Sequence, residues 1–292
     1  MKTKIILILV LVDLLFGIFI LRNGSDADKV KTSFLDVGQG DAILIRQGSV
    51  NFIIDGGPDK TILRRLGETI PPWEKRIDVI FLTHPDLDHL WGLIEVVKKY
   101  EVGQVVMPNL KKEGKDYKMF LSEILKKNIP VVFAKPGISV KYRDINFSVL
   151  APNQKLAAWS ESNPNVGSLV LRASLPGYVL LLTGDMEILE EQYLLRYVPD
   201  LLRADVLKVA HHGSKTASST SFLNAVKPAL AIFSVGEKNR YGHPHPEVLK
   251  RFSSTAYFRT DENGTVTLIS KSGSNQVDLV CQKECDIEKK TK

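Results

Sequence analysis

The sequence predicts an α+β fold: two β-sheets packed face to face and flanked by helices, an αββα sandwich, with one hydrophobic helix ahead of it. Three observations carry this expectation. Short β-rich runs come in antiparallel-looking series separated by glycine turns. Further strands alternate with helical stretches. Polar clusters fall where strands end, the usual position for site residues on a rigid scaffold. A chain of 292 residues, 44% hydrophobic and 25% charged, has the composition of a globular domain with a sizeable core and excludes a disordered tail protein.

The first element is the N-terminus. Residues 1–4 are short and basic, residues 5–21 are apolar apart from Asp13 and Gly17, and the chain turns polar from Arg22. This is the layout of a signal sequence or signal anchor over residues 1–24, and the missing small-residue cleavage site favours an uncleaved anchor. Lys2 and Lys4 precede the span, so the positive-inside rule places the remainder outside the cytoplasm, anchored to the membrane or secreted. Asp13 is a costly residue for such a span.

The domain is expected over residues 30–270. Strands are expected at 32–37, 42–47, 50–54, 77–83, 104–107, 131–134 and 145–150, with helices at 90–100 and 117–127. A second half follows in the same style. Its strands lie at 168–174, 178–183, 205–210, 229–235, 257–259 and 265–270, with helices at 186–197 and 247–252. Residues 271–292 read as a polar, fraying tail. The two cysteines, Cys281 and Cys285, lie in that tail, far from any histidine motif, so a thiolate metal site is excluded. A local disulfide and two unpaired thiols are both compatible with their spacing.

All six histidines fall in three short motifs: His84 and His89, His211 and His212, His243 and His245. Structural histidines would scatter. The run Thr83-His84-Pro85-Asp86-Leu87-Asp88-His89 puts four potential ligands of divalent cations in six positions. In an extended segment His84, Asp86 and Asp88 converge, while Asp88 and His89 at a helix start serve a second ion. A capped helix N-terminus explains the two aspartates but not the histidines. Asp185, after the apolar strand 178–183, is either a helix cap or a carboxylate bridging two ions. His211 and His212 end another strand. The loop Tyr241–Pro246 offers His243 and His245 between prolines, to bind metal, hold a phosphate oxygen or protonate a leaving group. Asp55, in Asp55-Gly56-Gly57, is either a turn residue or a carboxylate that orients a ligating histidine from behind. Ser168, Ser214 and Lys215 are candidate contacts to substrate.

Taken together these segments resemble the metallo-β-lactamase superfamily, and most of all the extracytoplasmic hydrolase domain of the ComEC competence proteins. The matching pieces are 34–42, 54–57, 83–89, 167–171, 182–185, 207–214 and 239–246, seven motifs in order. The resemblance implies a four-layer αββα sandwich with two divalent metal ions between the sheets. It implies His84, Asp86, Asp88 and His89 as ligands, Asp185 as the bridge, and one of His211 and His212 as the late ligand. It also implies a nuclease acting on DNA during uptake. Two departures from the wider superfamily stand out: Asp86 replaces a histidine, and Trp91 replaces a glycine. The carboxylate makes the centre harder, favouring Mn²⁺ with Zn²⁺ possible. A single candidate span cannot form the multi-span ComEC channel, so a role in import does not carry over.

The expected reaction is therefore phosphodiester hydrolysis, with Asp88, Asp185, His243 and His245 as catalytic candidates. DNA or another phosphodiester is the expected partner, together with the membrane through the N-terminal helix, and no protein partner is inferred. The net charge of +6 suits a polyanion. The rival readings are a metallo-hydrolase of a small ester, lactone or β-lactam, and a non-catalytic module that binds DNA or a surface polymer.

Overall fold

A computed structural model describes residues 27–160 and 163–285. Two sheets hold fifteen strands. The first runs β15-β14-β1-β2-β3-β4-β5-β6, and the second β13-β12-β11-β10-β9-β8-β7. Strands of the first sheet are β1 (Lys29–Phe34), β2 (Ile43–Gln47), β3 (Val50–Ile54), β4 (Arg76–Phe81), β5 (Glu101–Pro108), β6 (Val131–Ala134), β14 (Val266–Lys271) and β15 (Val277–Cys281). Those of the second are β7 (Ser139–Tyr142), β8 (Ile145–Ala151), β9 (Val170–Leu175), β10 (Tyr178–Leu182), β11 (Val206–Lys208), β12 (Leu230–Phe233) and β13 (Ala256–Arg259). The helices are α1 (Thr61–Thr69), α2 (Leu87–Lys99), α3 (Lys115–Lys126), α4 (Gln154–Trp159), α5 (Ile188–Tyr197), α6 (Thr220–Val226), α7 (Pro246–Arg251) and α8 (Thr260–Asn263).

Strand alternation builds the layers. In β3, Phe52 and Ile54 join the cluster between the sheets, while Ile53 faces the helices. The central cluster sets Phe34, Phe52 and Phe81 of the first sheet against Phe147, Leu171 and Leu180 of the second. A second cluster packs Leu66, Leu90 and Phe120, from α1, α2 and α3, on the outer face of the first sheet. A third packs Leu194, Phe222 and Val248, from α5, α6 and α7, on the outer face of the second. Three apolar interfaces make four layers, as the sequence predicts.

Chain direction positions the site. β3, β4, β5 and β6 pair in parallel, as do β10, β11, β12 and β13. Residues leaving their carboxyl ends therefore emerge on one edge of each sheet, the edge where open parallel sheets bind ligands. Asp55 follows β3, His84 follows β4, Asp185 follows β10 and His211 follows β11. The approach of α2 to the end of β3 depends on glycine. A Cβ on Gly92 would lie 1.9 Å from the Gly56 carbonyl oxygen, and one on Gly56 would lie 2.4 Å from the Leu93 amide nitrogen. Gly92→Ala is expected to destabilise the chain by about 1–3 kcal/mol and to push α2, with its metal-facing first turn, off β3. Denaturant unfolding of the variant measures the loss.

The structure departs from the sequence expectations in several places. The helix expected from residue 90 begins at Leu87, so Asp88 sits on a helical turn rather than on the extended segment shared by His84 and Asp86. The polar tail expected from 271 instead carries β15, paired antiparallel to β14 from Val266↔Cys281 to Ser270↔Val277. Its side chains alternate between partly buried and exposed, as on an edge strand. Cys281 and Cys285 are joined in a disulfide with Cα atoms 5.4 Å apart. The N-terminal hydrophobic helix expected at 1–24 lies outside the described residues. Among the described residues no helix is long and apolar enough to cross a membrane.

Candidate metal centre

Three of the site residues sit at backbone angles that side chains avoid. Asp55 (φ 58°), His211 (φ 48°) and His212 (φ 54°) are all left-handed without being glycine. Such conformations persist where the surroundings hold them, and they cluster at working sites. Here the turn at the end of β11 aims His212 inward, buried, and leaves His211 at the rim with its side chain 22% exposed.

Asp55 is fully buried behind His89. Its Oδ1 accepts from the Thr83 amide at 2.7 Å, and its Oδ2 accepts from Thr83 Oγ1 at 2.6 Å and from His89 Nδ1 at 2.7 Å. These bonds fix the His89 ring and leave its Nε2 facing Asp185 Oδ1 at 3.3 Å. His212 is fixed in the same manner: Nδ1 donates to the Ser234 carbonyl at 2.8 Å, and Nε2 lies 3.4 Å from both Asp88 Oδ2 and Asp185 Oδ2. His84 Nε2 lies 3.8 Å from Asp86 Oδ2, whose other oxygen accepts from Lys112 Nζ at 2.7 Å. Asp185 thus presents Oδ1 to His89 and Oδ2 to His212 and to His211 Nε2, the last at 3.7 Å.

The buried nitrogens and oxygens at this point lack partners. His84 Nε2, His89 Nε2, His212 Nε2 and Asp185 Oδ1 make no hydrogen bond. Such orphaned groups cost too much to bury without a ligand. One ligand atom from each of Asp88, His89, Asp185 and His212 lies within 4.8 Å of the others. Imidazole nitrogens and carboxylate oxygens are the donor set of divalent cations, so the residues fit a metal ion. Asp41, Asp55 and His89 are just as close together, but Asp55 is saturated by Thr83 and His89, and one oxygen of Asp41 is paired with a lysine. That group orients rather than coordinates. Asp55→Asn is expected to weaken metal binding by about 10- to 100-fold, measured by competition with a chelator.

Charge follows this geometry. Burial disfavours protonation of His89 and His212, yet the neighbouring carboxylates, Asp185 foremost, outweigh it and hold both well above 6.5 without metal. His84, buried and beside His89, is pushed below 6.5. Burial raises Asp185, but His212 and His89 more than offset it and hold its carboxyl well below the ordinary range. For raised histidines, stability is fully present below about 6.5 and is lost as pH rises through the folded value. The metal-free chain is therefore expected to melt at lower temperature as pH rises above 6.5. With saturating divalent ion the trend reverses, because ligation requires neutral imidazoles. Thermal melts with chelator and with metal distinguish the two.

Two contributors escaped the sequence reading. Lys208 is buried, 1% exposed, with Nζ 2.7 Å from Asp41 Oδ2 and donating to the Val209 carbonyl at 2.8 Å. Asp41 Oδ1 lies 3.4 Å from His212 Nδ1. The visible signal for Lys208 is a lone lysine inside the apolar strand 205–210. For Asp41 the Gly38–Gly40 turn hides it.

Other predicted residues are placed differently. His243 is half-buried with Nδ1 unpartnered; burial and then the nearby His212 lower it to about 4, so it is a neutral imidazole at pH 7. Its ring meets His211 edge-on at 5.7 Å. His245 caps α7, its Nδ1 accepting from the Glu247 amide at 3.3 Å. Ser168 is fully buried rather than open to substrate. Ser214 bonds Thr216 at 3.0 Å, and Lys215 is exposed.

Comparison with known proteins agrees with this arrangement. Residues 35–237 match the profile described as the metallo-beta-lactamase superfamily. ComE operon protein 3 of Bacillus subtilis is 32% identical over 257 residues, 81% of this chain and 32% of that protein. Recombination protein 2 of Haemophilus influenzae is 30% identical over 221 residues, 74% of this chain and 26% of that protein. Competence protein ComA of Neisseria gonorrhoeae is 30% identical over 241 residues, 79% and 31% respectively. The chain spans about a third of the length of these curated relatives. Among solved structures, the metallo-beta-lactamase fold protein YhfI from Bacillus subtilis aligns with a TM-score of 0.55 at 12% identity, covering 87% of this chain and 100% of the other. This chain belongs to the metallo-β-lactamase superfamily, and its curated relatives are ComEC-like competence proteins.

Proposed function

We propose that this superfamily member, a metal-dependent hydrolase by its fold and its His/Asp cluster, is a phosphodiesterase acting on DNA with two divalent ions. The observation that carries the two-ion reading is that Asp185 closes one group with Asp88, His89 and His212, while a second unpartnered imidazole, His84, stands beside it with Nε2 3.8 Å from Asp86 Oδ2. Asp88, His89 and His212 would hold one ion, His84 and Asp86 the other, with Asp185 between them. His212 is thus preferred over His211 as the late ligand. Asp86, a carboxylate beside His84, favours Mn²⁺ over Zn²⁺.

When bound, the ions supply an acidified water and Lewis-acid stabilisation of the phosphoryl oxygens. The chain's own residues do the rest. Asp55 and Ser234 fix the ring orientations of His89 and His212. Lys112 Nζ, at Asp86, stands where it can neutralise a non-bridging phosphate oxygen. His243, unpartnered at Nδ1, can accept a hydrogen bond at the rim. The cavity beside the centre is lined by Lys112, Lys238 and Arg240, cations that suit a phosphodiester better than a β-lactam or lactone. The names of the curated relatives, competence and recombination proteins, belong to DNA metabolism. An extracytoplasmic location is part of the same proposal, supported by the apolar run 5–21 and by the disulfide.

The test is incubation of the purified full chain with single-stranded and duplex DNA in Mn²⁺. Metal-dependent cleavage supports the reading. Tight metal binding without cleavage of either substrate overturns it and leaves the fold standing.

A further inference from the structure

Beside the metal centre opens a cavity of about 810 Å³. The turn Pro85–Asp88 lines it, between Lys112 and Tyr117, from the loop before α3 and its first turn, and the loop from Lys238 to Tyr241. Once Asp86 and Asp88 face cations, Asp116 is the remaining carboxylate among its described lining residues, against Lys112, Lys238 and Arg240. The cavity shares Lys112 and Tyr117 with a second of about 590 Å³, which shares Asn109, Lys111 and Phe133 with a third of about 440 Å³. The three cavities therefore adjoin in series, a groove from Arg240 past the metal centre to Phe133 and Lys135.

Two stations in this groove carry exposed aromatic side chains. Phe133 is 51% exposed and Tyr241 is 53% exposed. Tyr241 belongs to a stack that starts at the metal centre. His211 meets the His243 ring edge-on at 5.7 Å, His243 stacks on Tyr241 at 5.7 Å with an interplanar angle of 23°, and the Arg240 guanidinium carbon lies 5.0 Å over the tyrosine ring. Arg240 Nη2 also donates to Tyr241 Oη at 2.8 Å. The guanidinium is thus held on the tyrosine with its outer face in solvent. A planar guanidinium or aromatic ring so held is a platform for an unpaired base. Paired bases within a duplex keep their faces stacked on one another and offer none.

We propose that the groove is a single-strand nucleic-acid track: bases stack on Arg240 over Tyr241 and on Phe133, while Lys112 and Lys238 hold phosphates on either side of the metal centre. This rests on the phosphodiesterase reading and names the form of its substrate. The bases are gripped without hydrogen-bond readout, so recognition is tolerant of sequence.

Fluorescence anisotropy with the full chain, in chelator to silence cleavage and again in Mn²⁺, tests the track. The probes are a labelled thymidine oligonucleotide, an abasic oligomer of the same length and charge, and a duplex. The expected result is binding of the oligonucleotide about tenfold tighter than of the abasic oligomer or the duplex. Arg240→Ala with Tyr241→Ala, and separately Phe133→Ala, should erase the preference for bases over the abasic oligomer. Lys112→Ala should weaken all three probes alike and flatten the salt dependence. Equal binding of oligonucleotide and abasic oligomer, or a preference that survives the aromatic variants, overturns the track. Hydrolysis of bis(p-nitrophenyl) phosphate by the wild-type chain reports the metal chemistry separately. Hydrolysis without base preference defeats the track alone, and no hydrolysis of any phosphodiester defeats the underlying reading.

Discussion

Asp185→Asn is expected to reduce bound metal from two equivalents to one and to slow phosphodiester hydrolysis about a thousandfold, a barrier increase of about 4 kcal/mol. Its carboxylate lies 3.3 Å from His89 Nε2 and 3.4 Å from His212 Nε2, the histidines proposed for one ion, and is proposed to be shared with the ion at His84 and Asp86. Asparagine keeps the shape but offers a single oxygen and no charge. One ion then loses its shared ligand, and the repulsion between two cations is no longer screened. Removing the carboxylate also removes the foremost neighbour that raises the pKa of His89 and His212. The metal-free variant should therefore lose less stability than wild type as pH rises above 6.5. Elemental analysis and hydrolysis of a small diester read the two main effects. Unchanged metal content in the variant would remove Asp185 from the centre.

Lys208→Met is expected to cost about 3–5 kcal/mol of stability, the loss typical when one partner of a buried ion pair is removed. Lys208 and Asp41 are 1% and 2% exposed, and their charged atoms lie 2.7 Å apart. Burial raises the Asp41 pKa, while Lys208 first and His212 second bring it down below its ordinary value. Without Lys208 the carboxylate has only the His212 and His89 imidazoles to answer it. Asp41 would then compete for the imidazole that faces Asp88 and Asp185, so metal affinity should fall together with stability. Pairing the change with Asp41→Leu should recover much of the stability, since replacing both partners leaves no charge uncompensated. It should not recover metal affinity fully. Denaturant unfolding of the single and double variants, in chelator, measures the coupling.

The two variants also mark what the residues alone made legible. The His84–His89 run and Asp185 declare themselves because imidazoles and carboxylates crowd at strand ends. The layers follow from strands such as β3, where Phe52, Ile53 and Ile54 are apolar in a row, so both faces need cover: the second sheet on one side, helices on the other. Other features depend on tertiary context. α1 carries Gly67 and no capping side chain, so neither propensity nor a cap signals its start. β7 is a four-residue edge strand, and β15 is a five-residue edge strand that follows a polar turn. The start of α2 at Leu87 moved Asp88 away from the His84–Asp86 side and toward His212, a shift of three residues that sequence boundaries do not resolve. The choice between His211 and His212 rests on two successive left-handed residues, which no side-chain pattern announces. Lys208 was hidden because a lysine in an apolar strand reads as a solvent-facing interruption until its partner across the fold is seen.

The central claim is that two divalent ions share Asp185 and together hydrolyse a phosphodiester. Titrating the chelated full chain with Mn²⁺, and assaying diester and single-stranded DNA hydrolysis at each step, tests it most directly. The account predicts binding of two equivalents, with activity appearing as the second is taken up. Saturation at a single equivalent, or two bound equivalents with no hydrolysis of either substrate, would contradict it.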